Sequence, residues 1–180
     1  FPNGEGDYIM SYAALGFAAR RFEVKRVADE DVLLSDTRLQ RVNAVLDAVD
    51  VNIVLYSYPG KDGVEIEWEA LDALADHPRI IGIKESSGSL QRAIGIATRY
   101  EGRIQLVSGS DDIALDFMFW GADSWICGPA NCMATAVCDL DRTFRSGDLV
   151  KAKAQMATLY TAMNILESGK FVQKLKFGCE

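Results

Sequence analysis

Four short apolar runs, each leading into a stretch with helical spacing, constrain the fold of this chain more than any other feature. They begin after Leu34. VNIVLY (51–56), RIIGIKES (79–86), RIQLVSGS (103–110) and ADSWICGPA (122–130) read as strands. All four are short, and VNIVLY is a β-branched run that reads as a buried strand. Between them lie amphipathic segments. Leu39, Val42, Val45, Leu46 and Val49 recur at helical spacing behind a capping Asp36. Residues 66–77 read as a helix stopped by Pro78. Leu90, Ala93, Ile94 and Ala97 share one face of the next helix, and DDIALDFMFW forms a short one. SYPGKDG is a turn punctuated by Pro59, Gly60 and Gly63. Two or three helices fill residues 134–178.

Strands alternating with helices predict βα units and a parallel sheet, an α/β protein. The strands look apolar on both faces, as expected of parallel strands covered by helices. A doubly wound sheet and a (β/α)8 barrel both fit the spacing. A barrel of that kind takes about 250 residues, and four strands in 180 residues correspond to half of one. Residues 1–33 carry a charged run, RRFEVKR, and a weakly amphipathic stretch from Tyr8 to Phe22. They read as a solvated helix and linker.

Composition narrows the function. Apolar residues make up 49% and charged residues 25%, a globular profile. The net charge of -7 argues against nucleic-acid binding, which needs a cationic face. No apolar run approaches a membrane span. The start, FPNGEGDYIM, lacks the basic flank and apolar stretch of a secretory signal, so a cytoplasmic location is expected. The four cysteines form no C-x-x-C pair and there is one histidine, His77. That inventory predicts no metal site and reduced cysteines used as small apolar groups.

Chemistry concentrates at the C-terminal ends of the strands, where barrels and open sheets both build their sites. Side chains alternate along a strand, so Gly82, Lys84 and Ser86 share one face and Glu85 takes the other. Glu85 is therefore not assigned as a base. Val54 and Tyr56 share a face of the preceding strand. A lysine whose amine is kept neutral by burial can attack a carbonyl and form an imine. Tyr56 could relay the proton. The bland alternatives are a lysine reaching solvent and a core tyrosine.

Together these motifs resemble the dihydrodipicolinate synthase and N-acetylneuraminate lyase family. LYSYPGKDG resembles its tyrosine loop, GIKESSG its lysine strand, SGSDD the motif after the next strand, and GADSWICGPAN its last barrel strand. The resemblance covers about residues 40–180. It implies a (β/α)8 barrel with C-terminal helices, here the second half of the barrel over 34–146 and an incomplete helical segment over 147–180. It implies a homotetramer acting on pyruvate or a related 2-oxo acid, with no cofactor. Lys84 would form the Schiff base and Tyr56 relay the proton, while Lys61, Ser86, Gly109 and Ile126 line the substrate site.

The departures are specific. Ser57 stands where the family often has Asn, and Lys61 and Asp62 where the synthases carry Arg and Thr. Lys61 keeps the charge but not the bidentate fork. The family's Gly-Thr-Thr-Gly-Glu segment and the tyrosine pair before the fifth strand are absent from the sequence given. Half of the barrel is therefore expected to be missing. Three functions follow: a lyase or aldolase, a dehydratase or deaminase of the pyrroline-carboxylate type, or a catalytically inactive remnant. A doubly wound binding domain would show a glycine-rich turn after its first strand, and none is present.

Overall fold

The computed structural model describes residues 8–9, 23–24, 35–48 and 50–179. Two short strands, β1 (Tyr8–Ile9) and β2 (Glu23–Val24), pair antiparallel. The sequence had suggested no strand there. The rest of the expected helix and linker lies outside the described residues.

The main body begins with helix α1 (Ser35–Ala48). Asp36, read as its cap, falls inside the helix as its second residue. Strand β3 (Ile53–Ser57) follows, then α2 (Pro59–Asp62), α3 (Trp68–Leu74) and β4 (Ile80–Glu85). Next come α4 (Leu90–Arg99), β5 (Gln105–Ser108), a 3-10 turn (Asp111–Ile113) and α5 (Ala114–Phe119). Strand β6 (Ser124–Trp125) precedes α6 (Ala130–Arg145), α7 (Leu149–Glu167) and α8 (Phe171–Gly178).

Strands β3, β4, β5 and β6 form one parallel sheet in chain order. A doubly wound sheet reverses its strand order at a switch point; this one does not. Sequential parallel order with crossovers of one hand puts the helices on one face, which is the arc of a (β/α) barrel. The core confirms it. Leu55, Ile83 and Leu106 are paired neighbours and all buried. They pack with Leu71 and Leu74 from α3 and Ala93 and Ile96 from α4. Each large aliphatic side chain buried there contributes about 1.5–3 kcal/mol.

The opposite face corrects the expectation of strands covered on both sides. Tyr56 is 39% exposed and Ile126 44%, and Gln105 and Ser124 are exposed too. In a closed barrel these positions meet side chains from facing strands, not helices. Among the described residues no strand faces these positions.

Other boundaries shift for local reasons. The helix expected over 66–77 is regular only to Leu74, and turns carry the chain to Pro78, whose ring disfavours a helical residue before it. His77 belongs to that turn, its Nδ1 accepting the Arg79 amide at 3.2 Å. SYPGKDG contains one helical turn, α2, with proline in its first position and Gly63 closing it at φ 71°. β6 is shorter than ADSWICGPA suggested, because Gly128 and Pro129 turn the chain into α6. In α1, Val42 and Leu46 meet the core while Val45 is 43% exposed. Met133 breaks α6 with φ −138°.

The C-terminal helices have their own core of Val137, Leu140, Ala152, Met156 and Met163. Among the described residues no helix is long and apolar enough to cross a membrane. Cys127 and Cys132 are half-buried, Cys138 and Cys179 exposed, and all four are free thiols.

Candidate active site

Parallel register brings the site together. Tyr56 pairs with Lys84, and Lys84 with Val107, so the phenol and the amine leave the same sheet face side by side. The Lys84 Nζ lies 4.0 Å from the centre of the Tyr56 ring. The amine meets the face of the ring, not its hydroxyl. Tyr58 stacks on Tyr56 with ring centres 5.9 Å apart.

Lys84 is half-buried, and desolvation is the largest influence on its amine, holding its pKa below the ordinary lysine value. The charges of Asp111 and Glu167 work against that shift, while Lys61 adds to it. Burial penalises the ammonium because it removes its hydration. Lys61 itself is exposed on α2, yet close enough for its charge to be felt at Lys84.

Gly109 is required by the lysine's path. A Cβ there would lie 1.9 Å from Ser86 Oγ, 2.8 Å from the Glu85 carbonyl oxygen and 2.9 Å from Lys84 Cε. Gly109→Ala is expected to displace Lys84 and cost about 1–3 kcal/mol, as overpacking does. Chemical denaturation checks it, and an unchanged midpoint would refute it. The Gly109 amide donates to the Glu85 carbonyl at 2.9 Å, and the Ile126 amide to the Ser108 carbonyl at 3.0 Å. Both N–H groups are therefore committed to the ladder, and each residue has only its carbonyl left to offer a ligand. Ser86 is 8% exposed, and its buried hydroxyl has no hydrogen-bond partner among the described residues.

Glu85 faces the helices, as alternation required. It is fully buried and pairs with Arg92, Nε to Oε2, at 2.8 Å. That removes it from the chemistry at the Lys84 amine.

Sequence reasoning quoted SGSDD but assigned no role to its acids. Asp111 is 3% exposed. Its Oδ1 accepts from Trp125 Nε1 at 2.9 Å, and its amide donates to Glu167 Oε1 at 3.1 Å. Burial first, then the hydrogen bond from Trp125 in the opposite sense and repulsion from Glu167, leave its carboxyl raised to about 6. The folded chain thus holds this proton more tightly than the unfolded chain. The resulting stabilisation is complete below about pH 4 and is lost as pH rises through about 6. Asp111→Asn is expected to remove a decline on the order of 2–3 kcal/mol across that window. Denaturation at a series of pH values measures it; an identical slope in the variant would refute it.

A cavity of about 860 Å³ lies at the other end of the sheet, lined by His77, Ile81, Arg103, Gln105 and Trp120 among others. It is at the N-terminal ends of β4 and β5, away from Lys84, and brings together no nucleophile and base.

The chain was compared with known proteins. It is 40% identical over 110 residues to the 4-hydroxy-tetrahydrodipicolinate synthase of Trichlorobacter lovleyi, covering 61% of this chain and 38% of that protein. The enzyme of the same name from Geobacter sulfurreducens is 39% identical over 115 residues, covering 64% and 40%. The chain therefore spans about two fifths of the length of these relatives. Its fold matches the crystal structure of the chloride-inhibited dihydrodipicolinate synthase from Acinetobacter baumannii complexed with pyruvate. That match has a TM-score of 0.75 and 27% identity, over 81% of this chain and 50% of that one. The model of the dihydrodipicolinate synthetase family matches residues 37–180, and the chain belongs to that family.

Proposed function

We propose that this chain is the lysine-bearing part of a Schiff-base lyase or aldolase, in which Lys84 condenses with pyruvate or a related 2-oxo acid. One observation carries the reading: the half-buried Lys84 amine, biased toward its neutral form, stands over Tyr56 at the C-terminal ends of paired strands. The neutral amine adds to the keto carbon and its proton passes to the oxygen. Loss of that oxygen as water leaves the imine, an electron sink for making or breaking the adjacent bond.

Tyr56 gives and takes the proton at the carbinolamine oxygen. The Lys61 ammonium attracts a substrate carboxylate, and its influence on Lys84 supports a shared anion between them. The free hydroxyl of Ser86 and the carbonyls of Gly109 and Ile126 complete the lining. In support, the curated relatives are synthases of this family, and the Acinetobacter enzyme was crystallised with pyruvate. Lys61 and Asp62, in place of the arginine and threonine of the synthases, turn the reading from the synthase reaction toward another aldol cleavage or a pyrroline-carboxylate type dehydration and deamination. The reading carries with it a cytoplasmic homo-oligomer, a tetramer by family resemblance, and needs no cofactor or metal.

A second reading is a catalytically inactive remnant: Lys61 and Asp62 stand where the synthases carry Arg and Thr, and a lysine lacks the bidentate fork that clamps a carboxylate. One experiment separates the two. The chain is incubated with pyruvate, reduced with borohydride and mapped by mass spectrometry. A reduced pyruvyl adduct on Lys84 supports the lyase, and an unmodified Lys84 supports the remnant.

A further inference from the structure

Glu167 ends α7, far along the chain from the lysine strand, yet it reaches the site. Its Oε1 accepts the Asp111 amide at 3.1 Å. Next to it, Asn164 Nδ2 donates to Asp112 Oδ2 at 3.1 Å. The last turns of α7 therefore grip both acids of the turn after β5. From the other side, Trp125 on β6 donates to Asp111 at 2.9 Å. Phe171, the first residue of α8, closes over Gly128, where an added Cβ would lie 2.3 Å from its ring and 3.4 Å from Asp111 Oδ2. The turn is thus held by α7 and by Trp125, with the Phe171 ring seated beside it.

We propose that Glu167 is a positioning residue, which fixes the Asp111 turn and forms with Asp111 an acidic wall beside Lys84. Among the described residues, the Tyr56 ring on β3 stands against the Lys84 amine, and the charges of Lys61 on α2, Asp111 on the turn and Glu167 on α7 act on it. The groups acting on Asp111 are Trp125, Cys127, Glu167 and Lys84. Desolvation and Lys61 favour the neutral amine, and the two carboxylates oppose them. The amine thus sits between opposing fields, and the helical segment controls one of them. Removing the Glu167 charge leaves burial less opposed and releases the proton at lower pH.

This inference rests on Lys84 as the reactive amine, but its test does not use pyruvate. Each lysine is labelled with trace acetic anhydride across a pH series, and the labelling midpoint of Lys84 is read by mass spectrometry. Exposed lysines such as Lys151 and Lys170 serve as internal references. Glu167→Gln keeps an acceptor for the Asp111 amide and removes the charge. It is expected to lower the Lys84 midpoint by roughly half a unit, about a threefold gain in reactive amine at fixed pH. The references should not move. Glu167→Asp, which keeps the charge, should stay near the parent. If Glu167→Gln loses its cooperative melt, Asp111→Asn carries the test and should move the midpoint the same way. A Lys84 midpoint that stays put or rises in the folded variant overturns the proposal. A shifted midpoint in a chain that captures no pyruvate leaves the wall standing and rejects the Schiff-base reading alone.

Discussion

Lys84→Arg is expected to abolish the borohydride-reducible pyruvate adduct while the chain still melts cooperatively. Arginine preserves length and positive charge, so packing against Tyr56 and Gly109 and the attraction to Asp111 and Glu167 are approximately kept. It does not preserve the nucleophile. Its guanidinium stays protonated across the whole working pH range, so no neutral nucleophile is available. The parent amine is favoured toward neutrality by its partial burial. Mass mapping should find the parent adduct on Lys84 and none in the variant, with Lys151→Arg on the exposed face of α7 labelled like the parent. Persistent adduct at another lysine in Lys84→Arg would remove Lys84 from the mechanism.

Arg92→Met is the second large effect, with an expected loss of about 3–5 kcal/mol. Arg92 is 5% exposed and Glu85 fully buried. The guanidinium gives Nε to Glu85 at 2.8 Å and Nη1 to Glu65 at 3.1 Å, and Nη2 reaches the Ile66 carbonyl. It also lies 4.9 Å from the centre of the Trp68 ring. Met replaces much of the volume but strands the Glu85 carboxylate, and an unpaired buried charge is what makes breaking such a pair costly. Glu85 Oε1 also accepts the Ser87 amide at 2.7 Å, so the loop after β4 loosens with it. Glu85→Gln with Arg92→Met should recover part of the loss, because no buried charge remains. Urea denaturation of parent, single and double variants measures this. A loss under about 1 kcal/mol for Arg92→Met, or a double variant no better than the single, would show that the pair is not the anchor of the lysine strand.

Local periodicity made half of this legible. The two-residue repeat of a strand put Lys84 with Gly82 and Ser86 and sent Glu85 to the helices, and the buried Glu85–Arg92 pair agrees. Tyr56 and Lys84 were each readable at a strand end, and the parallel register made them neighbours. Helix starts and stops were less legible, because Pro78 and the Gly128-Pro129 turn shorten elements whose apolar pattern continues. The resemblance of four motifs narrowed sheet or barrel to barrel before strand order did so physically.

What the sequence by itself determined was the order of the βα units and which side chains leave the Lys84 face, since both follow from short-range repeats. Tertiary structure alone decided that Asp111 is buried and that Trp125 and Glu167 hold it. Glu167 is 56 residues from Asp111, and no local pattern encodes a contact made when two helices fold back over a strand end. Burial and charge at the lysine are sums over such distant neighbours, so they exist only once the chain is folded.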